Sequence, residues 1–217
     1  MKTKTLFTTV SLILASIILK AEINTAVSID WLTVDADCIV KGKIISVEVE
    51  QNNTNSGDMA TIKLVLSEKL KGFFVLEKSI KGNVNDTIII YTSNYPPSWN
   101  PKAYLGKFVL VFLNVIAKNA DYLHLLLAKG SYEYSIIDLQ SNGSKVINGH
   151  FNVLKSEKEI LNYVSQIITK TKGIKKGNLA CLEVPFDTDA YKTLYSGSAC
   201  YIWVPNNLYP DGKEKCF

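Results

Sequence analysis

Six short apolar-rich runs follow one another between Cys38 and Ala128, separated by polar or Gly-containing segments. Strands of that length and spacing cannot stand alone. They demand a sheet that closes on itself or packs on a second layer. The first run, Cys38 to Glu50 (CIVKGKIISVEVE), carries six β-branched residues and alternates apolar with polar from Ile44 onward. Gly42 in its middle predicts a bulge or a barrel bend. Gln51 to Asp58 has the composition of an exposed hairpin loop. Further strands are expected at Met59–Leu66, Phe73–Ile80, Thr87–Thr92, Phe108–Val115 and Tyr122–Ala128. Two near-copies, Glu68 to Gly72 and Glu77 to Gly82, read as strand exits ended by Lys and Gly rather than as a repeated basic binding loop.

The pattern changes beyond Gly149. Ser156 and Glu159 form a capping box. Ile160, Leu161, Val164, Ile167 and Ile168 then fall on one face of a helix expected over 156–170. Lys170 and Lys172 suit its last turn, Gly173 suits its C-terminal cap, and 170–178 reads as a linker. Two strands, Ala180–Pro185 and Ala199–Pro205, flank a short helix within Asp187–Tyr195, capped by Asp187 or Thr188 and stopped by Gly197. Upstream of the strands, Ser28 to Asp37 reads as a short helix or turn with Ser28 as its cap. The expected organisation is a signal peptide at 1–21, a β-barrel domain at 22–130 and an α+β extension at 131–217.

The N-terminus carries the address. Met1-Lys-Thr-Lys4 is a basic n-region, Leu6 to Leu19 is an apolar core of signal-peptide length, and Ala21 offers a small residue for cleavage. The core is too short for a membrane span, which takes about 20 apolar residues. Export to the periplasm or the medium is therefore expected, with no integral membrane segment after cleavage; an uncleaved anchor is the alternative. Cleavage removes Lys2, Lys4 and Lys20 and leaves 21 basic against 20 acidic residues. A near-neutral chain with no arginine lacks the guanidinium groups that dominate phosphate and guanine recognition, so no nucleic-acid partner is expected. Two histidines with no HExxH, CxxC, GxSxG or phosphate-loop pattern point to no metal and no cofactor. Cys181, Cys200 and Cys216 lie near one another in sequence and are disulfide candidates for an oxidising compartment. Cys38, inside the first strand, reads as a buried thiol. The pairing stays open, because four cysteines allow three connectivities.

The stretch Ala36 to Ile44, a strand ending in Leu70-Lys-Gly72 or Ile80-Lys-Gly82, Asp86 to Tyr91, and Leu105 to Phe112 together resemble a known pattern. They are similar to the OB-fold module of tissue inhibitors of metalloproteinases and netrin-like domains, as found in uncharacterised exported bacterial proteins. The resemblance covers roughly residues 30–130. It implies a mainly β chain built on an OB-like five-stranded Greek-key barrel, here with a C-terminal α+β extension. The inhibitory chemistry of those proteins does not transfer. It needs a Cys at the mature N-terminus, whereas this mature chain is expected to begin at Glu22 and its first cysteine is Cys38.

The segment Tyr91 to Gly106 (YTSNYPPSWNPKAYLG) sets Tyr91, Tyr95, Trp99 and Tyr104 around three prolines. Prolines lower the ordering cost of a loop, and amphipathic rings supply contact area with a polar tip. A protein, peptide or glycan partner could stack there; the plain alternative is that the rings plug one barrel end. His124 reads as a strand histidine, Asp35 and Asp37 as turn or capping carboxylates, and His150 stands beside Gly149 with no readable role. The leading expectation is an exported, non-enzymatic binding module. A structural protein of the cell envelope or extracellular matrix is the second, and a hydrolase of unrecognised type, needing Asp35 or Asp37 beside a histidine, is the third.

Overall fold

The computed structural model describes residues 24–50, 58–66, 87–95, 100–115, 122–125, 135–140, 146–172, 178–194 and 200–214. Among them the chain is mainly β. The strands are β1 (Asn24–Val27), β2 (Cys38–Glu50), β3 (Asp58–Leu66), β4 (Thr87–Tyr95), β5 (Phe108–Val115), β6 (Tyr122–Leu125), β7 (Ile136–Asp138), β8 (Val146–Ile147), β9 (Val153–Leu154), β10 (Leu179–Glu183) and β11 (Cys200–Pro205). The helices are α1 (Ile29–Asp35), α2 (Glu157–Lys170) and α3 (Asp189–Leu194), with a 3-10 turn at Pro101–Tyr104. The strand expected at Phe73–Ile80, the two Lys-Gly near-copies and Gly173 lie outside the described residues.

β2 organises the larger sheet because it is long enough to serve two partners. Its first half, Cys38 to Lys43, runs antiparallel to β5, from Cys38 opposite Leu113 to Lys43 opposite Phe108. From Gly42 onward it runs antiparallel to β3, ending with Glu50 opposite Met59. Gly42 and Lys43 thus pair on both sides. The bulge expected at Gly42 falls instead between Ile44 and Ser46, just after the change of partner. β3 pairs antiparallel with β4, β4 in parallel with β6, and β6 antiparallel with β5. β4 runs three residues past its expected end, because its ladder with β3 continues to Tyr95 opposite Asp58.

β5 (FVLVFLNV) shows no polar alternation, since both its faces are buried. Val109, Val111 and Leu113 face Cys38, Val40, Ile44, Ile62 and Ile90. Leu110 and Phe112 point the other way, into a second core with Ile39, α1 and α2. α2 supplies Ile160, Val164 and Ile168 to that core, as its spacing predicts. Its N-terminus is closed by the capping box: Glu159 N–H donates to Ser156 Oγ at 3.2 Å and Ser156 N–H to Glu159 Oε2 at 3.0 Å. Lys41 of β2 pairs with Glu157 on the first turn of α2, holding the helix to the sheet.

Residues 24–35, expected with the barrel, belong instead to the C-terminal layer. β1 lies parallel to β11, Asn24 to Val27 against Cys200 to Trp203, and β11 lies antiparallel to β10. Ser28 N–H donates to Trp203 O at 2.9 Å, and Ser28 Oγ accepts from Trp31 N–H at 3.1 Å, so one residue ends β1 and caps α1. Parallel pairing joins segments distant in sequence, and local pattern does not encode it.

Phe112 is wholly buried where the sheet meets the helices. Phe112→Ala is expected to lower unfolding free energy by about 3–5 kcal/mol. Because that core joins both layers, urea unfolding should stay a single transition; two separate transitions would show that the layers fold independently.

Candidate functional site

Two places gather chemistry-bearing side chains. The first is the aromatic segment singled out from the sequence. Tyr91 and Tyr95 belong to β4, with Tyr91 opposite both Thr61 and His124 and Tyr95 opposite Asp58. Trp99 lies outside the described residues. Tyr104 ends the 3-10 turn, which starts from Asn100, whose Oδ1 accepts from Lys102 N–H at 3.1 Å. Its half-buried ring packs against the core between β2 and β5, with Lys107 Nζ 5.9 Å from the ring centroid. The described residues of the segment expected as one loop are a strand end, to Tyr95, and a short helical turn, from Pro101, and Tyr104 is engaged in core packing.

The second was not legible in the sequence. Asp30, in the first turn of α1, is fully buried. Its Oδ2 accepts from Gly149 N–H at 2.8 Å. Its Oδ1 accepts from Tyr163 OH on α2 at 2.9 Å and from Tyr209 OH beyond β11 at 2.8 Å. All three donors are neutral. Loss of water and then the Asp30 carboxylate raise both phenols above the usual tyrosine range, so they stay protonated as donors.

The turn between β8 and β9 is shaped to meet this carboxylate. Asn148 Oδ1 accepts from His150 N–H at 3.0 Å and Asn152 N–H at 2.9 Å, and Phe151 takes a φ of 62°. Few non-glycine residues adopt that conformation; here the half-buried ring packs into the C-terminal core. A Cβ on Gly149 would stand 2.3 Å from Tyr209 Cζ, so only glycine lets the tyrosine lie across the turn. His150, exposed, meets Tyr209 edge-to-face at 5.3 Å. The carboxylate behind that tyrosine is Asp30 rather than Asp35 or Asp37. Asp35 ends α1, and Asp37 N–H donates to Leu113 O at 2.8 Å.

The cysteines separate by geometry. Cys38 and Cys200 are buried thiols. Burial, then the Asp37 carboxylate, pushes the Cys38 thiol up to about 11, and burial also raises Cys200. Cys200, expected as a bridge candidate, is therefore corrected. Cys181 stands opposite Trp203, while Val184 N–H donates to Cys200 O at 2.9 Å. The offset of three residues is about 10 Å along a strand, beyond the roughly 7 Å Cα reach of a disulfide. The backbone of Cys181 is held against Lys213, its N–H donating to Lys213 O at 2.7 Å and its carbonyl accepting from Lys213 N–H at 2.9 Å. Cys216 lies outside the described residues.

Among the described residues no group of His, Cys, Asp and Glu is arranged to hold a metal, and no helix is long and apolar enough to cross a membrane. No model of a known protein family matches the sequence, and no curated protein matches it either.

Two outcomes follow from this geometry. The phenols of Tyr163 and Tyr209 ionise near pH 10 in an unfolded chain and higher in the folded one, so their contribution to stability is complete below about pH 10 and is lost as pH rises past it. Tyr209→Phe should cost about 1.5–3 kcal/mol at neutral pH, by removing a hydrogen bond to a buried charge, and should flatten the alkaline fall in a urea-unfolding series. In peptide maps, Cys181 is expected in a disulfide, while Cys38 and Cys200 alkylate only after denaturation. Rapid labelling of native Cys200 would contradict its burial.

Proposed function

We propose that this chain is an exported, non-enzymatic binding module on an OB-like five-stranded Greek-key barrel, with a C-terminal α+β extension. The pairing circuit supports the barrel reading: β2 to β3 to β4 to β6 to β5 and back to β2, with β4 parallel to β6 and the other pairs antiparallel. The resemblance to netrin-like modules implies a five-stranded Greek-key barrel.

One observation carries the binding reading. β4 pairs with β6 only as far as Tyr91 but continues with β3 to Tyr95, while the chain returns to β5 through the turn at Pro101–Tyr104. Both flanks of the proline- and tryptophan-bearing segment are thus anchored at one end of the sheet. The prolines of that segment, Pro96, Pro97 and Pro101, lower its ordering cost when a partner binds. Tyr91, Tyr95, Trp99 and Tyr104 are the proposed contact residues, the ring of Tyr104 also packing on the core. The partner class is a protein, peptide or glycan.

Trp99→Ala separates this function from a plug role. A hot-spot tryptophan contributes about 2 kcal/mol or more to binding, whereas removing a core tryptophan costs about 3–5 kcal/mol of stability. The variant should melt within about a degree of the parent and lose retention of partners from glycan and host-surface extracts. A fall of several degrees would assign Trp99 to the core and end the proposal for this segment. Mass mapping of protein recovered from the producing cells should place its N-terminus at Glu22, as export requires.

A further inference from the structure

Of the three large apolar side chains strongly exposed among the described residues, two are neighbours. Ile45 is 46% exposed and Leu105 is 53% exposed. Strand alternation after the buried Ile44 turns Ile45 outward, and the chain next to Leu105 is bonded to Ile44: Gly106 N–H donates to Ile44 O at 2.8 Å, and Ile44 N–H donates to Lys107 O at 3.1 Å. Gly106, with φ 79°, makes the turn that presents Leu105. The two aliphatic groups therefore sit on a rigid backbone frame.

Their surroundings are cationic. Lys43 and Lys102 are exposed and form no ion pair with a described carboxylate, and Lys43 Nζ lies 6.0 Å from the Phe108 ring centroid. Lys107 is bound to Asp138 at 2.7 Å. Farther along β2, Glu48 is exposed and ends the positive rim. An apolar pair with unneutralised cations beside it and a carboxylate beyond has a small footprint. It matches a short anionic segment better than an extended anionic surface such as a lipid headgroup layer.

We propose that the Ile45–Leu105 patch, flanked by Lys43 and Lys102, docks an acidic segment of a partner protein through an aliphatic anchor residue. The aliphatic side chain covers Ile45 and Leu105, and the flanking carboxylates of the partner meet the two ammonium groups. This rests on the binding-module reading and names its partner as an acidic protein segment.

The test uses the full mature chain and a fluorescein-labelled peptide of alternating Leu and Glu, against the same peptide with Lys for Glu and against phosphatidylglycerol vesicles. Saturable binding of the acidic peptide alone is expected, weakening as salt screens the charges. I45S/L105S and K43E/K102E should each weaken it about tenfold or more with circular dichroism unchanged; all four residues being exposed or on the rim, two independent variants guard against misfolding. Equal binding by both variants, equal binding of the lysine peptide, no binding of the acidic peptide, or preferential binding of the vesicles would overturn the proposal. Trp99→Ala keeps the two ideas apart. If it abolishes retention of an extract partner that both double variants still hold, the binding module stands and this patch is not its docking surface. If neither Trp99→Ala nor the double variants change retention, both ideas fall.

Discussion

A carboxylate with no exposure to water has to be hydrogen-bonded to the protein, and in this chain Asp30 is that carboxylate. Its three donors come from three segments: the β8–β9 turn, α2, and the chain beyond β11. None carries a charge, so among the described residues the negative charge is met by dipoles, and the loss of any one donor leaves a buried charge under-solvated. Much of the local geometry follows from meeting this need. Gly149 has no side chain, because Tyr209 must cross it. Asn148 uses its side chain to shape the turn that aims Gly149 N–H at the carboxylate. Tyr163 sits on the face of α2 that already buries Ile160 and Val164.

The same interaction explains why residues 24–35 meet residues 200–209. α1 follows β1 after a single residue, Ser28, and β1 is the parallel neighbour of β11. Asp30 then fixes α1 to Tyr209, four residues past the end of β11. The N-terminal strand, the first helix and the last segment are thereby one structural unit. The sheet carrying the proposed contact residues reaches that unit through the outward face of β5 and Ile39 of β2. Beyond Ile39 and Lys41, whose side chains meet the helical layer, β2 continues to the exposed Ile45.

The elements themselves were largely legible. β5 runs from Phe108 to Val115 as its apolar run indicated, and α2 begins at Glu157 after the Ser156 cap, because both signals are local. Thr188 caps α3 by accepting from Tyr191 N–H at 3.1 Å, one of the two caps its sequence offered. The candidate site was much less so. Nothing in SIDWLTVDAD distinguishes Asp30 from Asp35 or Asp37, since burial of a carboxylate depends on which donors arrive from residues 149, 163 and 209. The cysteines show the same limit. Nearness in sequence made Cys200 a bridge candidate, but strand register sets it opposite Val184 and out of reach of Cys181.

By itself the sequence determined the mainly β character, the long first strand, the capped amphipathic helix and the short helix near the C-terminus. Each follows from side-chain periodicity and capping chemistry within about a dozen neighbouring residues. Only the tertiary structure decided that residues 24–35 complete the C-terminal layer, that β2 changes partner at Gly42, that Ile45 and Leu105 stand together in the open, and that Asp30 is the buried hub. These depend on pairings between segments tens to more than a hundred residues apart. Such pairings are fixed by which faces must be covered and which polar groups must be satisfied, not by any local run of residues.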